Sequence, residues 1–133
     1  MNEIERNLNT LSLFHYIAGA IFVVFACIPL IHVGIGIAMI SAPESFVADN
    51  GQVPPEVLGY FFTAVGILFF LAGQALACAV IYAGRCLKQR KMYTYCFVTG
   101  CVSCMAVPFG TILGVFTIVL LSKDETKALF AKA

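Results

Sequence analysis

Tryptophan is absent from this 133-residue chain, and charge is scarce. Eight Lys and Arg with seven Asp and Glu make up 11% of the residues and leave a net charge of +1. A soluble domain carries about 25% charged residues. With 61% hydrophobic residues beside so little charge, a water-soluble globule and a disordered tail are both excluded. No basic stripe exists to meet phosphates, which excludes nucleic acid as a partner. The most polar internal stretch, Ser41–Glu56, has no Cys, so an exported disulfide framework is excluded as well.

Three blocks lack Asp, Glu, Lys and Arg altogether: Asn7–Pro43, Val57–Gly84 and Met92–Ser122, of 37, 28 and 31 residues. A bilayer core of about 30 Å takes about 20 helical residues, so each block is long enough to span. The runs are continuously apolar rather than alternating, which points to helices and not to a barrel. The polar opening with Glu3, Glu5 and Arg6 does not read as a signal peptide, and no lipidation motif is present. The expectation is a single all-α membrane domain: an integral helical bundle of about four segments with cytoplasmic N- and C-termini. The spans fall roughly at 11–40 with a kink at Pro29, 57–84, 86–107 and 109–122, followed by a short tail over 123–133. The third and fourth segments form a short hairpin reversing at Pro108–Gly110.

Charge placement decides between three spans and four. If the third block crosses once, the cations divide five against three between the two sides. If it reverses at Val107-Pro108-Phe109-Gly110, all eight Lys and Arg share one side, opposite Glu44, Asp49 and Glu56. The positive-inside rule selects the reversal, with the cationic side cytoplasmic. Asp49-Asn50-Gly51 signals a turn, and Pro54-Pro55 suits a helix start. Ser122-Lys-Asp-Glu125 has the spacing of a capping box, opening a tail helix whose apolar edge, Leu129 and Phe130, lies on the membrane surface.

Few residues carry chemistry. Gly73 with Ala77, and Ala75, Ala79 and Ala83, recur at the four-residue spacing that lets helices approach closely, either inside the bundle or between copies of the chain. Gln74 is the one amide deep in a span; it hydrogen-bonds a neighbouring helix or, alternatively, lines a pathway. His15 reads as an interfacial anchor. His32 is placed to reach a carbonyl freed by Pro29. Arg85, Lys88, Arg90 and Lys91 meet anionic headgroups. Cys86 faces the reducing cytoplasm, while Cys27, Cys78 and Cys96 lie within spans and behave as small apolar residues. Cys101-Val-Ser-Cys104-Met105 puts two thiols and a thioether at one helix end, and with His32 and Cys27 these are weak candidates for Cu(I) or thiol exchange. Thr111 is placed to cap the last span.

Phe14-His15-Tyr16, Pro29-Leu-Ile-His32, Gly51-Gln-Val-Pro-Pro-Glu56, Gly84-Arg85, Pro108–Thr117 and Lys127-Ala-Leu-Phe130 together resemble a group of small bacterial four-span integral membrane proteins of uncharacterised function. The resemblance implies a bacterial inner-membrane address. It carries over no activity, cofactor or catalytic residue, and Cys101 and Cys104 stand outside its pattern.

These readings point first to a small non-enzymatic structural or accessory membrane protein without a cofactor. Its partners are the lipid bilayer, copies of itself and possible other membrane proteins. A second class is an oligomeric pore lined by Gln74, Thr63, Thr111 and His32. A third is a metal, haem or quinone redox protein built on Cys101, Cys104, Met105 and the histidines.

Overall fold

Asn2 opens the first helix: its backbone N–H donates to Glu5 Oε2 at 3.3 Å, one arm of a capping box. Glu3 and Glu5 put negative charge in the first turn, where the helix dipole favours it. The helix, α1, therefore starts at Glu3 and runs to Phe25, eight residues ahead of the expected span start. The computed structural model describes residues 2–132. Among them the regular structure is helix only.

Pro29 has no N–H to give Phe25. The chain passes this point by tightening its turns: Cys27, Ile28, Leu30 and Ile31 donate three residues back, to Val24, Phe25, Cys27 and Ile28. The expected kink is thus a four-residue turn, after which α2 covers Leu30–Ser41. Taken together, Glu3–Ser41 is a 39-residue helical stretch apolar enough to cross a membrane. A 3-10 turn, Pro43–Phe46, follows. Gly51, at φ 77°, closes a turn by donating to the Ala48 carbonyl oxygen at 2.8 Å, and Asn50 Oδ1 accepts from Gln52 N–H at 3.1 Å.

Helix α3, Glu56–Gln89, starts directly after Pro54-Pro55 and has 34 residues, about 51 Å at 1.5 Å per residue. It is the second helix long and apolar enough to cross. Arg85 and Lys88 belong to its last turns and not to a loop. The reversal after it is tight: Arg90 and Met92 both sit at φ 54°. Helix α4 covers Tyr93–Ser103 and α5 covers Phe109–Leu121. At 11 and 13 residues they measure about 17 and 20 Å, each short of a 30 Å core. The third segment is shorter than the expected 86–107 because α3 keeps residues 86–89 and the turn takes 104–108. The chain does reverse beside Pro108, but over residues 104–108, with Phe109 and Gly110 already opening α5, and α4 and α5 pack antiparallel. A Cβ on Gly100 would meet Thr117 Cγ2 at 3.0 Å, and Tyr93 donates its hydroxyl proton to the Leu121 carbonyl oxygen at 2.9 Å.

Helix α6 covers Asp124–Lys132. The expected capping box does not form. Ser122 stays helical at the end of α5 and its hydroxyl donates to the Ile118 carbonyl oxygen at 2.7 Å. The apolar edge of α6 is not laid bare either: Leu129 and Phe130 pack on the core, and the Phe130 ring stands edge-on to Tyr93 at 5.7 Å.

The chain divides into two compact units. The first takes the residues up to Phe22 and those from Leu76 onward. Its core is Leu8 and Leu11 of α1, Val80 and Leu87 of α3, Cys96 of α4, and Leu113 and Leu121 of α5. The second unit, Val23–Ala75, sets α2 against the first half of α3. Glycine makes this possible: a Cβ on Gly36 would meet the Gly59 carbonyl oxygen at 2.6 Å, and one on Gly66 the Pro29 carbonyl oxygen at 2.9 Å. Gly59, Gly66 and Gly73 recur every seven residues, two helical turns apart, so they share one face of α3; Gly59 and Gly66 meet α2 and Pro29, and Gly73 meets Ala26 in the turn before it.

Candidate functional site

Polar side chains gather inside the first unit. Ser12, His15, Thr99, Ser103, Thr117 and Thr126 are all buried, and three of them hydrogen-bond to backbone oxygens. Ser12 donates to the Gly84 carbonyl oxygen at 2.6 Å. His15 Nδ1 donates to the Leu11 carbonyl oxygen at 2.9 Å. Thr117 donates to Leu113 at 2.7 Å, and its Oγ1 lies 3.4 Å from His15 Nε2. His15 is therefore a central packing residue of this unit and not an interfacial anchor. Gly84 lets it in, since a Cβ there would stand 2.9 Å from His15 Cβ. Ser103 and Thr126 keep buried hydroxyls without a hydrogen-bond partner.

In the second unit, Gln74 Nε2 donates to the Val23 carbonyl oxygen at 3.3 Å and lies 3.7 Å from Cys27 Sγ. Cys27 donates to the same oxygen at 3.4 Å. This is the carbonyl released when Cys27 N–H shifts to Val24 ahead of Pro29, so Gln74 takes the role expected of His32. His32 instead stacks on Phe62, ring centroids 6.1 Å apart and planes within 11°. Thr63 donates back to Gly59 at 2.9 Å. In the first unit Thr111 does not cap α5; it donates to the Cys104 carbonyl oxygen at 2.8 Å, closing the end of α4.

The small residues point in different directions. Ala77 and Ala83 are buried, Ala79 is half-buried with its carbonyl oxygen accepting from Tyr95, Gly73 faces Ala26, and Ala75 is exposed. Cys101 and Met105 are exposed, and Cys104 donates back to Gly100 at 3.3 Å. Among the described residues no three of His, Cys, Asp and Glu come together to hold a metal. Arg90 pairs with Glu5 at 3.0 Å, while Arg85, Lys88 and Lys91 are exposed.

One concavity was not anticipated from the sequence. It is a groove of about 790 Å³ along α1 and α5, within the 300–1,000 Å³ of small-molecule sites. The two helices are antiparallel: His15 meets Thr117, and Phe22 lies near Gly110. Leu11, Ala18 and Leu113 form the floor; Phe14, Phe109, Ile112 and Phe116 form the walls. One end alone is polar, carrying Asn7 and Thr10 of α1 and Lys123 just past α5. Each half is a stripe at helical spacing, Thr10-Phe14-Ile17-Ile21 and Phe109-Ile112-Phe116-Val119-Lys123. The stripes were legible; their pairing was not.

Comparison with protein-family models, curated proteins and solved structures finds no match to this chain.

Proposed function

We propose that this is a small non-enzymatic protein embedded in the membrane, a bacterial inner membrane on the resemblance, that acts by helix packing and by binding within the bilayer. The observation that carries the reading is its inverted burial. Serine, threonine and histidine side chains lie inside, while Val24, Phe61, Leu68, Phe69 and Phe116 are each more than half exposed. Water would penalise that surface and lipid would not. The most apolar windows of the two long helices are only 11% and 17% buried, unlike the core helices of a soluble protein.

Glu3–Ser41 and α3 are the complete spans. The α4–α5 hairpin enters from the side where α3 ends and returns to it, which explains how two helices too short to cross are accommodated. That arrangement keeps all eight Lys and Arg on the cytoplasmic side. The bilayer is the first partner, and copies of the chain or other membrane proteins meet the apolar faces left open.

Alkaline carbonate extraction followed by liposome reconstitution tests the reading. The protein should stay in the membrane pellet, and reconstituted liposomes should pass no K⁺ or Cl⁻. Release into the supernatant would overturn the membrane assignment; steady conductance would replace an accessory role with a pore.

A further inference from the structure

We propose that the α1–α5 groove is a binding site for one anionic phospholipid, its acyl chain along the apolar walls and its phosphate at Lys123, Asn7 and Thr10. The inference rests on the membrane reading above and adds a ligand to it. Three features single out this occupant.

The first is the groove's one-sided polarity. Its body offers aliphatic and aromatic carbon, and its polar groups are confined to one end. That is the complement of a molecule with one polar head and a long apolar tail. A second copy of a helix would find apolar contacts along the whole length and no use for the polar end.

The second is charge. Lys123 is exposed and makes no ion pair among the described residues. Of the two carboxylates that follow it in the chain, Asp124 holds Lys127 at 3.1 Å and Glu125 is exposed and forms no ion pair with Lys123. Arg6, also exposed, lies one turn before Thr10 on the same face of α1, where Thr10 donates to its carbonyl oxygen at 3.0 Å. A free cation with a second cation and the Asn7 amide beside it recognises a phosphate rather than a neutral head.

The third is length. From Asn7 to Ile21, α1 rises about 21 Å. A lipid with its head at the Lys123 end would therefore keep its tail on the walls through one leaflet of a core about 30 Å thick. The floor of Leu11, Ala18 and Leu113 is buried and wholly aliphatic, the surface against which an acyl chain packs.

The test uses the full chain in nanodiscs of equal phosphatidylglycerol and phosphatidylcholine, read by native mass spectrometry. One phosphatidylglycerol per chain should be retained in preference to phosphatidylcholine. Lys123→Gln should lower that preference about five-fold, the effect of one cation near an anionic head. Lys132→Gln, at the far end of α6, should leave it unchanged. Ile112→Trp, on an exposed wall position that tolerates bulk without refolding, should reduce retention of both lipids. Equal retention of the two lipids by the wild type, or an equal loss in Lys132→Gln, would overturn the site. A lipid-free species of two chains would overturn it in favour of a second copy. A chain that does not enter the discs would overturn the membrane reading itself.

Discussion

Gln74 Nε2 donates to the Val23 carbonyl oxygen at 3.3 Å, and that oxygen is free because Cys27 N–H has moved on to Val24 at 3.1 Å. The break before Pro29 and the one deep amide of the chain thus answer each other across α1 and α3. Removing the amide should leave the carbonyl with only the weak Cys27 thiol donor at 3.4 Å. Gln74→Leu should therefore destabilise the protein by about 0.6–2 kcal/mol, measured as a shift of its unfolding midpoint in mixed micelles on adding dodecyl sulfate. An unchanged midpoint would mean that the hydrogen bond contributes nothing.

Close approach of α2 to α3 depends on glycine at one position and not at another. Gly36→Ala would press a methyl against the Gly59 carbonyl oxygen at 2.6 Å, backbone that yields only if the helices separate. The expected loss is about 1–3 kcal/mol. Gly34 has nothing within 4 Å, so Gly34→Ala should gain up to about 1 kcal/mol from helix propensity. The same micellar unfolding assay compares them, and similar effects at both sites would refute the packing assignment.

The α3–α4 reversal holds two side chains in left-handed backbone, Arg90 and Met92, both at φ 54°. That conformation costs a residue with a Cβ about 1–2 kcal/mol. Met92 has little to lose, being exposed with only a weak contact from Tyr82 Oη to its sulfur at 3.7 Å. Met92→Gly should therefore stabilise by about 0.5–1 kcal/mol net of glycine's chain entropy. Arg90→Gly relieves the same strain but loses the pair with Glu5, and should come out less favourable than Met92→Gly by about 0.2–1 kcal/mol at low salt. Raising the salt should narrow the gap between the two.

Much of this architecture was legible from composition and punctuation. Uncharged blocks located the long helices, Pro54-Pro55 the start of α3, Pro29 a break and Pro108–Gly110 a reversal, because each acts through its own backbone chemistry. What escaped were the pairings. Ser122 had the spacing of an N-cap, yet it closes α5 as its C-cap and its hydroxyl turns back to Ile118. Residues 86–88 read as the start of the third segment because charge marks the end of a hydrophobic run, although α3 continues past Arg85 to Gln89. Gly59 and Gly66, which seat α2, stand out no more in the sequence than the alanines at 75, 79 and 83, since spacing alone does not say which face has a neighbour. For the same reason the α1–α5 groove, built by two stripes nearly a hundred residues apart in the chain, became visible only in three dimensions.

The central claim is a chain inside the membrane with its cations on the cytoplasmic side and the segment between α2 and α3 on the other. Single-cysteine labelling in a Cys-free variant, expressed in bacterial cells and probed with a membrane-impermeant maleimide, tests it most directly. Asp49→Cys should label in intact cells with a permeable outer membrane, and Asp124→Cys only after the inner membrane is opened. Labelling of Asp124→Cys from outside, or of neither position before lysis and both in the soluble fraction afterwards, would contradict the account.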